Sequence, residues 1–245
     1  MSANVAVFFD LDGTLLPEPS FERRLFSSLR NSSAIPYANY FRWAVEALRL
    51  LPSGLLAVRY GNKRYLSGLN VDLALQHFAS LTFFEEGIAR VAWHARQTHQ
   101  IVLATGTLEP LAQLAAMALE CELEARGLPI HLHVLATEVE QARGTWTGRL
   151  TGPALYGSAK ARAVAGLAHK CQWNLAECHA YGNSILDAAF LCTVGHGHAV
   201  NPGPEFAAIA NRKDWPIWHW HQEKQLRPRT GSNWVPEIQS LEGQA

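Results

Sequence analysis

Val5-Ala6-Val7-Phe8-Phe9-Asp10-Leu11-Asp12-Gly13-Thr14 decides how this chain is read. Five consecutive apolar residues without alternation suit a strand buried on both faces of a parallel sheet. The run ends in two carboxylates two positions apart, followed by a glycine. Crowding two carboxylates beside a buried strand is costly unless a cation compensates them. Mg²⁺ takes oxygen ligands and usually keeps waters and a phosphate oxygen. Gly13 permits close backbone approach, and exposed amides there suit phosphoryl oxygens. A solvated turn with two aspartates remains the plain alternative for this segment alone.

Working outward, strands alternate with helices. Ile101–Ala104 reads as a second buried strand, stopped by Thr105-Gly106-Thr107, and Leu108–Glu124 as a helix. His131–Ala136 reads as a third strand, and Glu138–Leu150 as a β-hairpin around Arg143-Gly144. Ser158–His169 reads as a helix. Cys178–Tyr181 is a short strand leading to Gly182-Asn183, followed by a helix over Ser184–Phe190. Leu191–Val194 and His198–Val200 read as short strands, and Glu205–Arg212 as the last helix. This alternation predicts an α/β fold with a doubly wound parallel sheet, in which ligands bind at the carboxyl ends of the strands. Asp10, Thr105 and Asn183 all fall just after predicted strands.

Between the first two strands, residues 17–82 are helical in pattern and read as an inserted all-α cap. The core then comprises 1–16 and 83–221, and 222–245 form a tail. Phe41, Val45, Leu48 and Leu51 share one helical face. The stretch Tyr40–Val58 is broken by charges and by Pro52-Ser53-Gly54, which excludes a spanning helix. It reads as an amphipathic core helix in preference to a membrane-surface one. The insertion carries eight Lys/Arg against four Asp/Glu, which suits an anionic substrate.

The whole chain of 245 residues balances 21 basic against 21 acidic side chains. No basic excess marks a nucleic-acid partner. Four cysteines lack any CxxC or zinc-finger spacing, and no signal-like segment opens the chain. Reduced thiols and a cytoplasmic location are expected. His196/His198 and His219/His221 read as surface or packing residues rather than a metal cluster. Trp215, Trp218 and Trp220 read as aromatics packing a terminal segment onto the core.

The ordered set of segments resembles the haloacid dehalogenase superfamily, in its phosphoserine-phosphatase-like branch. Phe9-Asp10-Leu11-Asp12-Gly13-Thr14-Leu15-Leu16 resembles its first motif, and Ile101–Gly106 the second. Val134-Leu135-Ala136-Thr137-Glu138 and Thr147-Gly148-Arg149-Leu150 resemble the branch's hairpin. Lys160 matches its motif lysine, Tyr181–Asp187 its fourth motif, and Val200-Asn201-Pro202 a late turn. The resemblance implies a Mg²⁺-dependent phosphatase acting on a small phosphorylated metabolite. It implies Asp10 as nucleophile, Asp12 as general acid and base, and Thr105 and Lys160 as phosphoryl partners. Gly13, Thr14 and Gly106 would line the phosphate, and Asp10, Asp12, Asn183 and Asp187 the metal.

Two departures stand out. Asn183 occupies a position where the family commonly has aspartate, so weaker metal binding is expected, with Asp187 able to restore charge through water. The glutamate that engages the substrate amine in phosphoserine phosphatases falls at Pro19, with Glu18 adjacent, which argues against phosphoserine. A receiver-like module, a weakly active binding protein and a phosphotransferase stay open as alternatives at this stage.

Overall fold

The computed structural model describes residues 4–76, 78 and 81–221. The predicted tail 222–245 lies outside them.

The sheet is six-stranded and parallel, built from β1 (Ala6–Phe9), β2 (Gln100–Leu108), β3 (His133–Thr137), β6 (His179–Gly182), β7 (His196–Val200) and β8 (Ile217–Trp218) in the order β3-β2-β1-β6-β7-β8. Every residue of β1 is buried, as its unbroken apolar run requires of a central strand with both faces covered. Val7 and Phe9 pack on one face and Ala6 and Phe8 on the other, so the strand joins two separate apolar clusters.

The chain builds outward from β1 to β2 and β3, then returns to the other side of β1 with β6. The β1/β6 boundary is therefore the switch point of the sheet, where strand ends diverge and leave a crevice. Asp10 follows β1 and Asn183 follows β6, so the sequence places two polar residues on either side of that crevice.

Helices α1 (Phe21–Asn31), α2 (Tyr37–Leu50), α3 (Leu55–Gly61) and α4 (Val71–Leu75) fill the insertion between β1 and α5 (Glu85–Arg96). The hairpin β4 (Val139–Ala142) and β5 (Thr145–Leu150) is tied to this insertion. Gly68 N–H donates to Trp146 O at 2.7 Å, Trp146 N–H to Leu69 O at 3.0 Å, and the Ser67 hydroxyl to Thr147 O at 3.0 Å. Gly148 sits at φ +73°, and a Cβ there would lie 2.5 Å from Ser67 Oγ. The glycine of the Thr147–Leu150 segment is thus required by the close approach of the insertion. α6 (Glu109–Glu124), α7 (Gly157–Lys170), α8 (Ala188–Leu191) and α9 (Pro204–Arg212) complete the layers.

Four expectations need correction. β2 does not stop at Ala104 but runs through Thr105-Gly106-Thr107 to Leu108, with a register irregularity against β3 after Ala104. Leu191–Val194 is not a strand: Leu191 ends α8, and Thr193 N–H closes a turn onto Phe190 O. The Ser184–Phe190 helix is a short 3₁₀ turn over Ile185–Asp187 followed by α8. The largest difference is α2, whose apolar face was expected in the core. Asn39 is its one buried residue, while Phe41, Val45 and Leu48 are exposed. Periodicity identified the helix and its faces but not which face meets protein.

The terminal aromatics pack as expected. Trp220 is buried against Gly87, Trp215 is half-buried against Gly197, and the Arg90 guanidinium lies 4.2 Å from the centre of the Trp218 ring. No helix among the described residues is long and apolar enough to cross a membrane.

Candidate active site

Asp10 leaves β1 with its N–H donating to Tyr181 O of β6 at 2.9 Å, so sheet pairing continues one residue past the strand and fixes the carboxylate at the switch point. Lys160, in the first turn of α7, is fully buried. Its ammonium donates to Asp10 Oδ1 at 2.6 Å and to Asp187 Oδ1 at 2.8 Å. Asp187 is itself held by the N–H and hydroxyl of Ser184, which accounts for the Ser-x-x-Asp spacing as a capping box.

Burial pushes the Asp10 carboxyl up to about 7; the Lys160 ammonium opposes that shift, while Asp187 and Asp12 add to it. Burial also opposes the charge on Lys160, but the two carboxylates outweigh it and hold the ammonium above the ordinary lysine value. One buried cation thus faces two buried carboxylates, leaving a negative excess that only one lysine addresses.

Asp12 is turned differently. Its Oδ1 accepts the Phe21 N–H at 2.7 Å, and its Oδ2 accepts the Thr107 hydroxyl. Burial raises the carboxyl pKa, with the bonds from Thr107 and Phe21 acting against the shift. The Phe21 amide opens α1, so the first helix of the insertion is anchored on the second carboxylate of the motif.

Thr105 is buried, and its hydroxyl oxygen accepts the Thr107 N–H at 3.1 Å. Thr14 is wholly buried, and its hydroxyl lies 3.3 Å from Asp10 Oδ2. Gly13 has φ +77°, and a Cβ there would come within 2.0 Å of Asn183 Nδ2. The glycine is required both by its conformation and by the side chain that crosses over it from β6.

Asp10, Asp12, Thr105, Gly106, Lys160, Asn183 and Asp187 all line one cavity of about 870 Å³ beneath the helical insertion. Gly13 and Thr14 are not among the residues lining it, and their N–H groups donate to Leu16 O at 2.7 Å and Leu11 O at 3.3 Å, so, contrary to expectation, these amides are not free for phosphoryl oxygens. The cavity's outer wall comes from the insertion: Arg23, Phe26, Tyr40, Trp43, Arg59 and Tyr60. Glu22 also lines it, but its carboxylate is engaged by Lys63 at 2.5 and 2.6 Å and by the Tyr65 hydroxyl at 2.9 Å.

A model of the haloacid dehalogenase-like hydrolases matches residues 7–191. The chain belongs to the haloacid dehalogenase-like hydrolase family. It is 40% identical over 233 residues to phosphoserine phosphatase SerB1 of Mycobacterium tuberculosis, covering 86% of this chain and 70% of that protein. It is 37% identical over 255 residues to the inhibition of morphological differentiation protein of Streptomyces azureus, covering 96% and 86%. Among solved structures, a protein of unknown function from Bordetella pertussis shares the fold with a TM-score of 0.67 at 23% identity, over 88% of this chain and 98% of that one. A phospho-aspartyl intermediate analogue of phosphoserine phosphatase shares it with a TM-score of 0.59 at 16% identity, over 90% and 95%. The α/β fold and the family expected from the ordered motifs are both borne out.

The sequence reads Thr107 only as part of a strand stop, although its hydroxyl holds Asp12. Its signal was there: residues two apart on one strand share a face, so a strand continuing past Ala104 puts Thr105 and Thr107 side by side. A second cluster was also missed. His94, His99 and His179 bring one nitrogen each within 4.8 Å of one another, at the opposite end of the strands from Asp10. His94 Nε2 lies 2.9 Å from the Tyr181 hydroxyl, and burial pushes the His94 pKa down to about 2. His198, expected at the surface or in packing, stacks on Tyr181 with ring centres 4.3 Å apart.

Proposed function

We propose that this phosphatase hydrolyses a small anionic phosphate monoester through a phospho-aspartyl intermediate on Asp10. The observation that carries this reading is the buried Asp10–Lys160–Asp187 group at the switch point, sharing one cavity with Thr105 and Asn183. A carboxylate is an established type of nucleophile for phosphoryl transfer. Asp10 Oδ1 is held by Lys160, whereas Oδ2 is approached by the Thr14 hydroxyl at 3.3 Å. Attack by Asp10 forms an O–P bond as the ester O–P bond breaks, and the leaving oxygen takes a proton from Asp12. The Asp12 carboxylate then takes a proton from the water that attacks phosphorus. Inorganic phosphate leaves and Asp10 is restored. The raised pKa of Asp12 suits it to hold the first proton. Lys160 and the Thr105 hydroxyl offset charge spreading over the phosphoryl oxygens.

The residues present suit Mg²⁺. The cavity's candidate ligands are oxygen donors, with no cysteine or histidine among the described lining residues, and Asp10 carries an incompletely compensated buried charge. Asp10 and Asn183 would hold the ion, with Asp12 and Asp187 beside them. Such an ion supplies positive charge to the phosphoryl group. Asn183 contributes a neutral oxygen, so binding is weaker than with a second carboxylate.

Arg23 and Arg59 give the substrate end of the cavity its positive charge. Pro19 stands where the branch has its amine-binding glutamate, and Glu22 is held by Lys63 and Tyr65. Both observations favour a substrate other than phosphoserine. A panel of phosphate esters, assayed with and without Mg²⁺ beside Asp10→Asn, tests the reading. Phosphate release that needs both Mg²⁺ and Asp10 is expected. No release from any ester by a folded protein overturns hydrolysis in favour of a binding module, and transfer to an alcohol in preference to water favours a phosphotransferase.

A further inference from the structure

α2 is a helix of 14 residues with one buried side chain, Asn39, whose amide donates to Tyr65 O and Ser67 O at 3.1 and 2.7 Å. Tyr37, Phe41 and Leu48 are 93%, 72% and 73% exposed, and Val45 is also exposed. At about 100° per residue, these four fall within a strip roughly 80° wide, nearly opposite Asn39. The strip continues through Leu51 to Leu55 at the start of α3, itself 75% exposed. An apolar strip pointing straight away from the protein is too contiguous to count as scattered surface residues.

Its charges have one sign. Arg42 and Arg49 of α2 are exposed beside the strip and neither forms an ion pair among the described residues, with one Arg42 N–H donating to Asn39 Oδ1 at 2.8 Å. Glu46, the acid within these two helices, is paired with Arg64 at 3.5 Å. An apolar strip that begins at Tyr37 and is edged by two arginines without acidic partners matches the chemistry of a helix lying in a lipid headgroup layer. A symmetric contact with a second copy would bring the same two cations against themselves. The strip also borders the catalytic cavity: Tyr40 and Trp43 of α2 and Arg59 and Tyr60 of α3 line it from the adjoining face.

We propose that the α2–α3 face docks on an anionic lipid surface and sets the mouth of the catalytic cavity against it. Docking is peripheral: the strip enters the headgroup region while Asn39 keeps the helix fixed to the protein. The surface attraction is electrostatic at the arginines and weakens as salt screens them.

The test is sedimentation of the full chain with vesicles of phosphatidylcholine alone or of phosphatidylcholine and phosphatidylglycerol at two to one. The wild-type protein is expected to pellet with the mixed vesicles at low salt and much less with phosphatidylcholine alone. Phe41→Ser with Leu48→Ser removes two exposed side chains and should weaken binding at least about tenfold. Its unfolding curve should match wild type. Arg49→Gln should weaken binding and flatten its salt dependence. Absence of binding to the mixed vesicles by the folded wild-type protein overturns the proposal. So does a wild-type dimer that Phe41→Ser with Leu48→Ser turns into a monomer without any vesicle effect, which assigns the strip to a second copy. Binding is read without substrate, so failure here is separate from failure of the phosphatase reading.

Discussion

Replacing Lys160 by methionine keeps the side chain's length and removes its charge. The ammonium now donates to Asp10 at 2.6 Å and Asp187 at 2.8 Å, and lies 4.6 Å from the centre of the Phe190 ring. Breaking a buried ion pair by deleting one partner costs about 3–5 kcal/mol, because the other charge stays buried and uncompensated. Here two carboxylates lose the same cation, and a desolvated cation–ring contact of about 2 kcal/mol goes with it. Proton uptake by one carboxyl relieves part of the sum, so the expected loss is about 4 kcal/mol at pH 7. With a urea slope near 3 kcal/mol/M for a chain of this size, the midpoint should fall by roughly 1–2 M, read by tryptophan fluorescence. The sign of the pH dependence follows from burial. Without Lys160 the folded Asp10 carboxyl binds its proton more tightly than the unfolded one, so folded Lys160→Met loses stability as pH rises from about 5 to 8. Adding Asp187→Asn removes one of the two repelling charges and should recover on the order of 1–3 kcal/mol without recovering activity. A Lys160→Met protein within about 1 kcal/mol of wild type at pH 7 would refute the view that these are compensating buried charges.

Asn183→Asp adds a carboxylate to the proposed metal site and should lower the Mg²⁺ concentration for half-maximal activity about tenfold, some 1.4 kcal/mol; an unchanged titration removes Asn183 from the ligand set. Gly13→Ala must displace Asn183 and strain a residue at φ +77°, so kcat should drop on the order of a hundredfold while circular dichroism stays native; normal turnover would show that Asn183 moves without consequence. His94 is depressed to about 2 in the fold against 6.5 when free. Its unfolded form therefore takes up the proton first, and stability present above pH 6.5 is lost as pH falls from there toward 2. At pH 5.5 His94 alone costs about 1.4 kcal/mol, with His179 and His198 shifted the same way. His94→Gln should flatten the acid limb of the stability curve, and an unaltered limb would contradict the assignment.

The parallel sheet was legible because β1 is uniformly apolar, and a strand buried on both faces has no room for alternation. The site's place at the carboxyl ends of the strands was legible too, because Asp10, Thr105 and Asn183 follow predicted strands, whereas the reversal of winding between Asp10 and Asn183 emerges only from the strand order. What escaped was decided by tertiary contact. β2 runs past Ala104 because Thr105 and Thr107 find partners in a buried polar site, where isolated Thr-Gly-Thr reads as a stop. The helical insertion was visible as pattern, but the face of α2 that meets protein is set by polar contacts at Asn39, Trp43 O and Glu46, and periodicity assigns the apolar strip to the inside. The histidine cluster gathers α5, the loop before β2, and β6 from sequence positions far apart, and no spacing rule connects them.

The central claim is that phosphorus bonds to Asp10 during turnover. A radiolabelled phosphate ester mixed with the enzyme and Mg²⁺, quenched in acid within one turnover and digested, measures this directly. The account predicts label on the peptide spanning Ala6–Leu16, lost in Asp10→Asn and released by mild base. Label on any other peptide, or full hydrolysis by Asp10→Asn, would contradict it.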